Sequence, residues 1–318
     1  MSPSTRVKRT IRIGTRGSKL ALWQATAVSS LLEAAGCPCE IVVIKTTGDR
    51  SQVAPVAGDD SKRQFVKEIE DALVSGHVDV AVHSAKDMTV ELPPGLTIAA
   101  CLPREDPRDC VILPGSRGPI AWSEVVARLD RSDRAPVIGT GSVRRSTQIA
   151  PLLRHVTFAP IRGNVDTRLN KLDSGGFDAL VLACAGLRRL GFEERISAAL
   201  PIELCVPAPG QGIVAVEARA DDEDVRSRLG SIHDARAAAA LAAERAVVAA
   251  LDGGCKLPLG AIAVHADSDL EMHGVVASLD GRRTIRHVIR GSVQRPEELG
   301  AQLADALARD GARDILGR

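Results

Sequence analysis

The chain has no tyrosine, four phenylalanines and two tryptophans in 318 residues. With so few rings, stacking platforms for single-stranded nucleic acid are not expected and the core must be built from Leu, Ile, Val and Ala. Charge of one sign is also lacking: 41 Lys and Arg against 40 Asp and Glu leave a formal net charge of +1. No overall field draws such a chain to DNA or to an anionic membrane, so any anion must be recognised locally. No apolar run is long enough to span a bilayer, and Met1 to Thr10 is basic and polar without a signal-like apolar segment. The expected location is the cytoplasm, with neither a membrane nor a nucleic acid as the expected partner. Seven cysteines lie scattered at 37, 39, 101, 110, 184, 205 and 255, without Cys-x-x-Cys spacing or histidines at zinc-ligand distance. Neither a disulfide framework nor a metal site is expected. Most of these thiols read as small buried hydrophobes, and only Cys255 sits on a glycine-rich loop.

What is present is a repeated grammar of short β-branched run, basic turn and amphipathic helix. Ile11-Arg12-Ile13 leads through Thr15-Arg16-Gly17-Ser18 into a helix with Leu20, Trp23, Ala27 and Leu31 on one stripe, capped by Ser18 and closed by Gly36. Strands follow at Ile41 to Lys45, Val78 to Val82 and Thr97 to Leu102, with a helix from Gln64 to Ser75. Pro103 to Pro119, rich in proline, glycine and charge, reads as the crossing into a second unit. There the grammar repeats at Val137 to Gly139, Val156 to Ile161 and Ala179 to Leu182. Ile213 to Glu217 is a strand able to return to the first unit. An Ala-rich helix from Asp234 to Leu251 and an alternating C-terminal region complete the chain.

The expected class is therefore α/β. A discontinuous first domain takes 1–104 and 208–230, a second takes 105–207, and a small α+β domain takes 231–318.

Helix N-termini expose unpaired N–H groups and a positive dipole end, and an adjacent arginine adds a fork that fits carboxylate or phosphate. Arg16, Arg144, Arg145, Arg162 and Arg168 all occupy strand-to-helix turns or first helical turns, which together make a cradle for a polyanion. Solvated surface charge is the competing reading for any arginine. A nucleotide is disfavoured: Arg144 stands where the dinucleotide fingerprint wants glycine, and no Gly-Lys-Ser/Thr element exists. Asp87, beside Lys86 at a strand end, suits either a developing cation or a structural ion pair. Cys255 suits covalent attachment or is an incidental loop thiol. His83 is a candidate base or the satisfied partner of a core hydrogen bond.

The ordered motifs Thr15 to Ser18 with Leu20 to Ala25, Ala81 to Asp87, Arg104 to Asp109, Gly139 to Arg145, Arg162 to Val165 with Thr167 to Leu169, Ala185 to Leu187, Pro209 to Gly212, and Gly253-Gly254-Cys255 with Pro258 resemble the porphobilinogen deaminase (hydroxymethylbilane synthase) family along nearly the whole chain. The resemblance implies two periplasmic-binding-protein-like α/β domains and a small α+β C-terminal domain bearing the cysteine. It implies a monomeric transferase that condenses four porphobilinogen molecules head to tail, with loss of ammonia, and releases hydroxymethylbilane. A dipyrromethane cofactor would be held through a thioether to Cys255, with Lys86, Ser142, Arg144, Arg145 and Arg168 on its side chains. Arg16, Ser18, Lys62, Phe65, Arg162 and Arg189 would meet substrate, and Asp87 would stabilise the cation formed as ammonia leaves. No metal is implied. The chain departs from the family pattern at Ser61-Lys62-Arg63-Gln64-Phe65, near Gly58, and at Gly141, where serine is common. A non-catalytic anion-binding protein of the same two-domain architecture is the alternative, since fold does not fix function.

Overall fold

The computed structural model describes residues 9–45, 60–132, 134–153, 155–251 and 258–317, with the side chains of 60–65 excepted. The chain divides into two compact units, Met1–Pro103 with Val214–Ala238, and Arg104–Ile213 with Ala239–Arg318. Among the described residues no helix is long and apolar enough to cross a membrane.

The first unit holds a five-stranded sheet in the order Cys39–Val43, Ile11–Thr15, Val80–Ser84, Val214–Arg219, Leu96–Cys101. The first three strands are mutually parallel; Val214–Arg219 runs antiparallel to both its neighbours. The second unit repeats the order with Thr157–Ala159, Val137–Gly139, Ala179–Ala183, Asp109–Ile112 and Ala198–Ala199, where Asp109–Ile112 is the antiparallel member. In each unit the antiparallel strand is the one next to the crossing: the first that the chain lays down in the second unit, and the first on its return. The α/β class expected from the turns is the class found.

Strands covered on both faces are apolar on both. Val80 and Val82 join Ile11, Ile13, Val28 and Leu32 in one cluster, while Ala81 packs with Ile69, Leu73 and Val78 in another. In the second unit, Val111 and Val181 belong to one cluster, and Ile112, Leu180 and Leu182 to the other. The same unit carries the antiparallel sheet Leu259–Ala266, Asp269–Ala277, Thr284–Ser292 and the helix Pro296–Arg309.

Two expectations are corrected. The stripe Leu20, Trp23, Ala27 and Leu31 is not the inner face of the helix Lys19–Ala34: that face is Ala21, Gln24, Ala25, Val28, Ser29 and Leu32, Ala27 is half-buried at its margin, and Trp23 and Leu31 are 40% and 43% exposed. The inward face uses small residues that admit close approach to the sheet, and polar ones that find partners there. Second, Pro103 to Pro119 is not only a crossing, because Asp109–Ile112 is a fully buried strand inside it.

Candidate functional site

In the first unit, adjacent parallel strands end in the two chemically loaded turns. After Ile11–Thr15 the backbone turns through Arg16 and Gly17 to Ser18, whose Oγ accepts from the Ala21 N–H at 3.3 Å and caps the helix. Thr15, fully buried, donates its hydroxyl to the Ala21 carbonyl at 3.2 Å, closing the turn from inside. Arg16 is half-buried there. After Val80–Ser84 the chain makes a single 3-10 turn, Ala85–Asp87. Ala85 and Met88 are buried and anchor it, leaving Lys86 and Asp87 half-exposed at the carboxyl edge of the sheet. His83 is buried, with Nε2 3.2 Å from Oε2 of the buried Glu217 on the neighbouring strand, but the approach is not a hydrogen bond, and His83 Nε2 and both Glu217 carboxylate oxygens find no hydrogen-bond partner among the described residues. Lys62 and Phe65 lie in the helix Asp60–Val74, their side chains outside the described residues, as are Gly58 and the Cys255 loop.

In the second unit, three successive parallel strands deliver the remaining candidates to one edge. Ser142 precedes the helix Val143–Ile149, its N–H donating to Thr140 Oγ1 at 3.3 Å. A Cβ on Gly141 would stand 3.3 Å from the Ile161 carbonyl, a tight contact for the serine common at this place. Arg162 is exposed at the turn after Thr157–Ala159, where Gly163 adopts φ +110°, a conformation open to glycine. Arg168, on the helix Val165–Asp173, folds its Nε back to the Gly163 carbonyl at 2.7 Å. Arg189, at the end of the helix Cys184–Arg189, donates Nη2 to the Gly212 carbonyl at 2.7 Å, and burial lowers its pKa.

Arg144 and Arg145 are the most buried of the set, and the side chain that organises them, Asp109, was missed in the sequence. Oδ2 of this fully buried carboxylate accepts from Arg144 Nη1 at 2.6 Å and from the Cys205 thiol at 3.4 Å. Oδ1 accepts from Arg145 Nε at 2.8 Å and Gln211 Nε2 at 2.9 Å. Burial alone would raise the Asp109 pKa, but the two guanidinium charges outweigh it and hold the carboxyl well below the usual range. Burial pushes the Cys205 thiol up to about 12, so it remains a neutral donor. Asp109 stands directly before the apolar run Cys110-Val111-Ile112-Leu113, and a charge abutting such a run is the signal that marks it.

Two guanidiniums against one carboxylate leave this cluster with one uncompensated positive charge. Arg145 donates from all three nitrogens, to Asp109, Val181 and Gln211. Arg144 donates only from Nη1, to Asp109, Val206 and Cys205, so its Nε and Nη2 have no hydrogen-bond acceptor among the described residues. A buried, half-used guanidinium with excess positive charge fits a group carrying carboxylates.

Comparison with known proteins decides the family. Residues 11–227 match the model described as "Porphobilinogen deaminase, dipyromethane cofactor binding domain", and residues 238–309 match "Porphobilinogen deaminase, C-terminal domain". The chain belongs to the porphobilinogen deaminase family. A relative named porphobilinogen deaminase from Geotalea uraniireducens is 41% identical over 310 residues, covering 97% of this chain and 94% of its own. One from Geobacter metallireducens is 43% identical, covering 96% and 93%. Among solved structures, the methionine binding protein MetQ overlaps 70% of this chain and 89% of its own, at TM-score 0.43 and 9% identity. The family's members are transferases, and its cofactor is dipyrromethane.

Proposed function

We propose that the protein joins four porphobilinogen molecules head to tail and releases hydroxymethylbilane, as a cytoplasmic monomer with a separate C-terminal domain. The observation that carries this reading is identity of 41–43% with porphobilinogen deaminases across more than nine-tenths of both chains. The dipyrromethane group, joined to Cys255 through a thioether, would supply the tether and the free pyrrole position on which the product is built. Lys86, Ser142, Arg144, Arg145 and Arg168 would bind its carboxylates; Arg16, Ser18, Lys62, Arg162 and Arg189 bind those of arriving substrate, and Phe65 meets the substrate's apolar parts.

Each pyrrole brings an acetate and a propionate, so a lengthening product accumulates negative charge and several arginines are required. Asp87 acts at the reacting carbon. As the C–N bond of the substrate's aminomethyl arm breaks, the electron pair leaves with ammonia and positive charge develops over the carbon and its ring. A carboxylate held on a turn anchored at Ala85 and Met88 offsets that charge without having to reorganise. That methylene carbon would then form the C–C bond to the free pyrrole carbon at the end of the tethered chain, the carbon there would give up its proton, and the cycle would repeat until water releases the product.

The test is the intact mass of the denatured protein from cells that make porphobilinogen, followed by incubation with porphobilinogen. An adduct of dipyrromethane size on Cys255, with ammonia and hydroxymethylbilane formed, is expected. An unmodified mass with no porphobilinogen consumed overturns the reading.

A further inference from the structure

A single rung of the C-terminal sheet meets the segment 202–207. Gly260 stands opposite Val275, and Val275 opposite Arg286, across the strands Leu259–Ala266, Asp269–Ala277 and Thr284–Ser292. A Cβ on Gly260 would come within 2.6 Å of the Val206 carbonyl, so nothing larger than glycine fits this approach. Val275 packs with Val206 and Ile262. Arg286 donates Nη1 to the Glu203 carbonyl at 3.0 Å and Nη2 to the Leu204 carbonyl at 3.3 Å. The same Nη2 reaches Gln148 Oε1 at 3.1 Å.

Gln148 is buried one turn after Arg144 on the helix Val143–Ile149. Its amide is used on both sides. Oε1 accepts from the Val206 N–H at 2.8 Å as well as from Arg286, and Nε2 donates to the Arg144 carbonyl at 3.2 Å and the Val206 carbonyl at 3.1 Å. One side chain thus joins the helix that bears Arg144 and Arg145, the segment 202–207 and the C-terminal sheet.

Building on the proposed function, we infer that Gln148 and Arg286 are positioning residues that set the span over which the covalent cofactor is held. The cofactor is fixed twice: by its thioether to Cys255, which in the chain comes just before the strand Leu259–Ala266, and by its carboxylates to Arg144 and Arg145. The two attachments belong to different elements, and one small molecule of fixed length must satisfy both. The contact of Arg286 with Gln148 ties those elements together. Without it the sheet shifts against the helix, and a displacement of about 1 Å is enough to lower a rate by up to about 100-fold. Arriving substrate is held by other residues, so its affinity does not depend on this contact.

The experiment compares Arg286→Met, Gln148→Met and the double variant, made in cells able to form porphobilinogen. Methionine keeps an unbranched chain at each place and removes the hydrogen bonds. Protein shown to be folded by far-UV circular dichroism is measured well below its melting temperature, for the fraction carrying the dipyrromethane-sized adduct and for kcat per loaded molecule and KM. Arg286→Met should lower the loaded fraction or kcat per loaded molecule on the order of 10-fold, with KM within about twofold of the parent. Gln148→Met should lose at least as much, and the double variant should be no worse than Gln148→Met alone, because both changes break one contact. Folded Arg286→Met with parent loading and parent kcat overturns the inference, even where it melts earlier, because the contact then serves stability alone. So does a rise in KM without loss of loading or kcat, or a double variant whose losses multiply. Arg286 is exposed, so its variant tests the inference even if Gln148→Met does not fold. Absence of adduct on the parent protein instead refutes the underlying function.

Discussion

Gln24 Nε2 donates to Ser84 Oγ at 2.7 Å, tying the first helix to the strand end from which the Lys86 and Asp87 turn begins. Gln24 is buried, so its amide has been withdrawn from water for this contact. Gln24→Leu keeps the volume and removes the bond. The expected cost is about 1–3 kcal/mol in urea unfolding, with a fall in turnover as the turn loosens. Wild-type stability and turnover together would show that the bond fixes nothing.

Asp87→Asn separates geometry from charge. Asparagine fills the same place on the turn, so covalent loading at Cys255 should persist in the intact mass. The counter-charge to the developing cation is gone, and kcat should fall by about 10²–10³. Loss of the adduct instead of turnover would assign Asp87 to cofactor assembly.

The strand-to-helix turns were readable because local chemistry writes them. A β-branched run, a basic Gly or Ser turn and a cap are all contained in a dozen residues, as at Ile11 to Ser18. The inner face of Lys19–Ala34 was not readable by size of side chain, because the sheet below demands Ala21 and Ala25 for approach and Gln24 for a bond that only the tertiary fold reveals. Asp109–Ile112 was hidden differently: four residues carry no period, and the charged run Arg104 to Arg108 before them looks like a loop. The pairing of Arg144 and Arg145 with Asp109 spans 35 and 36 residues, beyond any local pattern.

Acid should weaken the first unit through Asp79. This buried carboxylate accepts from the Arg12 N–H at 2.9 Å, from Arg12 Nε at 3.0 Å and Nη2 at 2.9 Å, and pairs with Arg9. Burial alone would raise its pKa, but the Arg12 bonds and charge prevail and the folded value lies below the ordinary one. The stabilisation is therefore complete above the unfolded carboxylate pKa of about 3.9 and is lost as pH falls below it toward the depressed value. Asp79→Asn should cost about 2–3 kcal/mol at pH 7. Its melting temperature should also depend less on pH between about 5 and 3 than that of the parent. Parallel curves for the two proteins would remove Asp79 from the acid transition.

Glu244 provides a sharper test of buried charge. It is fully buried on the helix Ala235–Ala250 and accepts four donors: Arg104 Nη1 at 2.5 Å and Nη2 at 3.2 Å, the Gly210 N–H at 2.6 Å and the Ala263 N–H at 2.8 Å. Arg104 also donates Nε to the Gln211 carbonyl at 2.8 Å, so the pair braces the Gly210-Gln211 segment from which Gln211 reaches Asp109. Glu244→Leu strands the Arg104 charge and two backbone N–H groups, and should cost about 3–5 kcal/mol. Arg104→Leu strands the Glu244 carboxylate and should cost about as much. The double variant removes both charges and leaves only the backbone groups unmet, so its loss should fall well short of the sum. A double-mutant cycle by urea unfolding measures the difference, and a coupling of at least about 1.5 kcal/mol is expected. Additive losses would mean that the attraction between Arg104 and Glu244 does no more than offset their desolvation, and that the segment is held by its backbone contacts alone.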